Sequence, residues 1–73
     1  MKAVNPPKSG TELLDLYYLD LRMHLLETAA ILDRIAAAGG TTDPRLLRLQ
    51  RAATIALDNE PDRARRFLET LSK

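Results

Sequence analysis

From Thr11 to Ala38 the chain runs without a glycine or a proline, and its apolar residues fall on two separate helical seams. Leu14, Tyr18, Leu21, Leu25, Thr28, Leu32 and Ile35 step alternately by four and three, the spacing that keeps a continuous stripe facing a neighbouring helix. Leu16, Leu19, Met23, Leu26, Ala30 and Ala37 form a second stripe, broken only by Asp33. At about 100° per residue the two stripes lie on roughly opposite sides of one helix. Asp15, Arg22 and Asp33 separate them along one edge, and Asp20 and Glu27 along the other.

The ends of this helix are marked. Ser9-Gly10-Thr11-Glu12 fits a capping box, in which the serine hydroxyl and the glutamate carboxylate each take one of the first backbone amides. Gly39-Gly40 ends the helix by admitting left-handed backbone without steric cost. The spacing therefore predicts a first helix over 11–38. Asp43 and Pro44 predict the start of a second helix over 44–58, with the aspartate as N-cap and the proline at a position whose amide would be unpaired anyway. Asn59-Glu60-Pro61-Asp62 repeats the device for a third helix over 61–72. No strand alternation occurs.

A helix apolar on two sides needs cover on two sides. The second helix offers Leu46, Leu49, Ala53, Ala56 and Leu57 as one face, and the third offers Ala64, Phe67, Leu68 and Leu71. Each is about half the length of the first. Folded back as a hairpin, they are expected to cover one of its sides. A second copy of the chain is the expected cover for the other, since two-fold dimers are the commonest assembly. Leu16, Leu19, Met23, Leu26 and Ala30 are the expected partner interface. Leu14, Leu21, Leu25 and Leu32 could exchange roles with them. A different protein is the alternative partner.

Size points the same way. Seventy-three residues without a cysteine make one domain at most, and no disulfide can staple it. A core this small supplies no more than about 3–5 kcal/mol alone, so such domains lean on metals or partner subunits.

Residues 1–8 read as a disordered leader, with Pro6-Pro7 favouring an extended chain. They hold no apolar core of signal-peptide length. No later run approaches the ~18 apolar residues of a membrane span. A soluble, cytoplasmic protein with no membrane partner is the expectation, and the lack of cysteine is compatible with it.

Net charge is +1, giving the whole chain no pull toward nucleic acid or anionic lipid. Acids dominate residues 9–43 and arginines dominate residues 44–73, so the two parts have complementary charge. The arginines of the second and third helices, Arg48, Arg51, Arg63 and Arg66, could line a phosphate backbone. Asp58, Glu60 and Asp62 in the turn between those helices oppose this.

Asp20, His24 and Glu27 place two carboxylates and the chain's one imidazole along an edge of the first helix. Carboxylate-rich bundles bind metals with a Glu-x-x-His spacing. Here the acid follows the histidine and no second histidine exists, so a solvated edge is the plainer reading and no cofactor is expected. Ser9 and Ser72 stand outside any Gly-x-Ser-x-Gly, and Gly39-Gly40 lacks the Lys-Ser/Thr of a phosphate loop. No enzyme is expected.

These readings converge on an all-α chain: a long N-terminal helix plus a shorter helical hairpin, one helical domain over 9–73, forming a dimeric helical bundle. The expected role is a small non-catalytic protein-interaction or assembly module. A nucleic-acid binder using the four arginines, or a carboxylate/histidine metal-binding bundle, are the alternatives.

Overall fold

The computed structural model describes residues 9–72, and these are all-α. Helix α1 spans Gly10–Ala37, a 3-10 turn covers Gly40–Thr42, α2 spans Pro44–Ala56 and α3 spans Arg63–Leu71. The expected leader, residues 1–8, lies outside the described residues. The chain divides into two units, one ending at Arg34 and the other beginning at Ile35.

The first unit is the body of α1. Its capping box is formed in both directions. The Ser9 amide donates to Glu12 Oε1 at 2.9 Å, and the Glu12 amide donates to Ser9 Oγ at 3.1 Å. Two of the orphan amides at the helix start are thereby satisfied. With 28 residues, α1 is about 42 Å long.

The second unit opens with the end of α1. Gly39 adopts φ 83°, a left-handed value that a side chain would strain. Gly40 is needed for a different reason: a Cβ there would lie 2.7 Å from Ile35 Cγ2. The 3-10 turn follows and delivers Asp43 to the N-cap of α2. Its Oδ1 accepts from the Arg45 amide at 2.9 Å, and Pro44 occupies the first turn as the sequence predicts.

Helices α2 and α3 pack on each other. Ala52 on α2 is fully buried, and Leu46, Ile55, Phe67 and Thr70 are half-buried. Leu57 and Leu68 remain 66% and 62% exposed. This differs in part from the face expected for α2, which grouped Leu46, Leu49, Ala53, Ala56 and Leu57: of these Leu46 is half-buried and the other four are exposed. Counting apolar residues finds the greasiest stripe but does not say which side of α2 the third helix can reach. The short connection from Ala56 to Arg63 restricts that choice, and Ala52 lies on the side it allows.

The two inner helix ends also fall short of their expected positions, α2 stopping at Ala56 and α3 beginning at Arg63. The cause is the chemistry of the connection. Asp58 Oδ1 accepts from the Glu60 amide at 2.9 Å, closing a local turn. Arg66 donates from Nη2 to the Glu60 carbonyl at 3.0 Å and from Nε to the Pro61 carbonyl at 2.8 Å. Those carbonyls therefore serve the guanidinium instead of starting a helical ladder at Pro61. Asp62 takes the N-cap position in left-handed backbone, φ 60°, a region aspartate enters more readily than most residues.

Candidate functional site

On α1 both stripes are exposed. Along the first, Leu14, Tyr18, Leu21 and Leu25 are 50–55% exposed, and along the second, Leu16, Leu19, Met23 and Leu26 are 57–68% exposed. Exposure falls only toward the C-terminal end, where Ala30, Leu32 and Ile35 are half-buried. Ile35 lines a shallow apolar groove with Gly40, Leu46 and Leu49, edged by Asp43 and Arg45.

Beyond Glu12, whose carboxylate serves the cap, the charges of α1 are equally uncommitted. Among the described residues, none of Asp15, Asp20, Arg22, Glu27, Asp33 and Arg34 takes part in an ion pair. Asp20, His24 and Glu27 stand exposed on the helix, and among the described residues no group of three or more His, Cys, Asp or Glu side chains is placed to hold a metal ion. The His24 carbonyl accepts from the Thr28 hydroxyl at 2.8 Å, a bond within the helix.

The arginines of α2 and α3 divide into two groups. Arg66 Nη1 and Nη2 grip Asp58 Oδ2 and Oδ1, each at 2.8 Å. Arg63 Nε donates to the Asp58 carbonyl and lies 3.7 Å from its carboxylate. Arg65 bridges Asp62 and Glu69, and Arg45 pairs with Asp43 through Nε and Nη2. Arg48 and Arg51 have no such partner among the described residues. Two members of the suggested anion-binding set, Arg63 and Arg66, thus direct their donors into their own chain, while Arg48 and Arg51 face solvent.

Two carboxylates are acidified by these contacts. The Arg66 guanidinium, helped by the Glu60 amide, holds Asp58 at about 2. The Arg45 side chain and then its amide do the same for Asp43, also at about 2. Both stay ionised at neutral pH and act as fixed anchors for loop and cap.

The sequence places Asp58 in the turn between α2 and α3 but does not reveal its pairing with Arg66. An acid just past one helix, with an arginine one turn into the next, was the available signal. The serine hydroxyls are likewise committed, Ser9 to the cap and Ser72 to the Leu68 carbonyl at 2.9 Å. Among the described residues no helix is long and apolar enough to cross a membrane. Compared with known protein families, with curated proteins and with solved structures, the chain matches none of them.

Proposed function

We propose that the protein is a small non-catalytic interaction or assembly module that homodimerises through α1. One observation carries this reading: eight large apolar side chains on two opposite stripes of one helix are all at least half exposed in the single chain. Burying a leucine or methionine side chain is worth roughly 1.5–3 kcal/mol. Several of them left in water forfeit as much as a domain of this size can hold in total. An isolated helix also draws most of its stability from packing an apolar face, which makes association and folding of α1 one event. A second copy carries the same stripe and gives a closed two-fold interface. A cytoplasmic setting suits a chain without cysteine.

The test is the mass in solution by light scattering at micromolar concentration, combined with thermal melting over a hundredfold dilution. Twice the chain mass and a melting temperature that falls on dilution are expected, because dimerisation stabilises by mass action. A monomer whose melting point ignores concentration ends the proposal.

A further inference from the structure

We infer that two copies of α1 pair antiparallel through the Leu14–Tyr18–Leu21–Leu25 stripe, in one register, selected by the Asp15 and Arg22 charges at its margin. This rests on the homodimer reading above and adds to it the face, the direction and the alignment.

The first stripe has one margin without acids or arginines and one that carries both. Tyr17, His24 and Ile31 widen it on one side, and Asp15, Arg22 and Ala29 border it on the other. In an antiparallel pair, each margin of one helix runs beside the same margin of its partner, and the charges there set orientation and register. Setting Leu14 across from the partner's Leu25, and Tyr18 across from the partner's Leu21, brings Asp15 beside the partner's Arg22. The two-fold axis repeats that contact, giving two attractive pairs. On the opposite margin Tyr17 meets the partner's His24, again twice.

Neighbouring alignments are penalised. A shift of one heptad in one direction sets Arg22 against the partner's Arg22, and the opposite shift sets Asp15 against the partner's Asp15. A parallel pair on this stripe gives these two charges no opposite number. The second stripe fares worse. Paired parallel, it brings Asp15 beside the partner's Asp20 and Arg22 beside the partner's Glu27, so one repulsion cancels one attraction and the charges favour nothing; paired antiparallel with Leu16 on the partner's Leu26, it sets Asp20 against the partner's Asp20. Asp33 also interrupts it. Asp20 and Glu27 border that stripe, which suits it to the outside of the pair.

The exposure pattern agrees with the register. The overlap runs from Thr11 to Thr28, about 27 Å of helix. Leu32 and Ile35, the members of the stripe beyond it, are the ones already half-buried in the single chain. The large side chains of the stripe within the overlap, Leu14, Tyr18, Leu21 and Leu25, are 50–55% exposed.

The sequence contains no cysteine, so engineered thiols report direction cleanly. In the full chain, Leu14→Cys with Leu25→Cys is expected to give an interchain disulfide on mild oxidation. Leu14→Cys alone is expected to give none, because the two copies of that position lie about 16 Å apart in this register. Arg22→Asp alone is expected to weaken the dimer about tenfold, as is Asp15→Arg, and the double exchange is expected to restore it. A wild-type monomer would remove the homodimer reading and this one with it. A wild-type dimer in which Leu14→Cys links to itself, or in which the double exchange brings no recovery, overturns the antiparallel register and leaves the homodimer standing.

Discussion

The Asp58 carboxylate and the Arg66 guanidinium meet as a two-pronged ion pair, both N–H···O distances 2.8 Å, eight residues apart across the α2–α3 turn. The same guanidinium also holds two backbone carbonyls of that turn. One side chain therefore closes the loop, positions α3 and satisfies groups that a helix end would otherwise leave open.

Replacing Arg66 by lysine keeps the charge and loses the fork, since an ammonium cannot reach both carboxylate oxygens and two carbonyls in one plane. Arg66→Lys is expected to lower the thermal midpoint of the α2–α3 unit by a few degrees, and Arg66→Ala by more. Arg48→Ala, at an exposed position without an ion pair, is the control and should leave the midpoint nearly unchanged. Circular dichroism melts at fixed protein concentration check the order.

Acid should loosen the same unit. Asp58 and Asp43 both titrate near 2 in the folded chain, below the ~3.9 of an unfolded aspartate. A lowered folded value means that their stabilisation is fully present above about pH 4 and is lost as pH falls through about 2. Stability measured by denaturant from pH 5 to pH 1.5 is expected to decline over that window. Asp58→Asn should start lower and decline less steeply.

At Ala52 there is no room to grow. The residue is fully buried, so Ala52→Leu forces the two helices apart or its own side chain off rotamer, at about 1–3 kcal/mol. Ala53→Leu, one position along and exposed, is expected to change stability by less than about 0.5 kcal/mol. Urea unfolding of the two variants separates the packing face of α2 from its hydrophobic stripe.

The boundaries of α1 can be tested at either end. Ser9→Ala removes one half of the capping box and is expected to cost about 1 kcal/mol. Gly39→Ala places a Cβ on backbone at φ 83°, at about 1–2 kcal/mol. Loss of helical ellipticity near Ser9 against loss of melting temperature at Gly39 distinguishes fraying from strain.

Much of this architecture was readable along the chain because its causes are local. A capping box, a Gly-Gly stop and an Asp-Pro start act within four residues, so Ser9, Glu12, Gly39, Asp43 and Pro44 marked their helix ends without any knowledge of the fold. The two stripes of α1 follow from spacing alone. The inner face of the hairpin was not legible in this way. Leu46, Leu49, Ala53, Ala56 and Leu57 make the better stripe on paper, yet only Leu46 of them is half-buried, and Ala52 is the residue that α2 buries fully.

The sequence by itself determined that the chain is helical, where its first helix starts and stops, and that this helix is apolar on two sides. Only the tertiary structure decided that Asp58 would pair with Arg66, that Pro61 would lie outside α3, and that two of the arginines suggested for an anion, Arg63 and Arg66, would bond to their own chain. The reason is range. Helix periodicity and capping are settled between neighbours a turn apart, whereas the partner of a carboxylate is set by which side chain the folded loop brings within 3 Å of it.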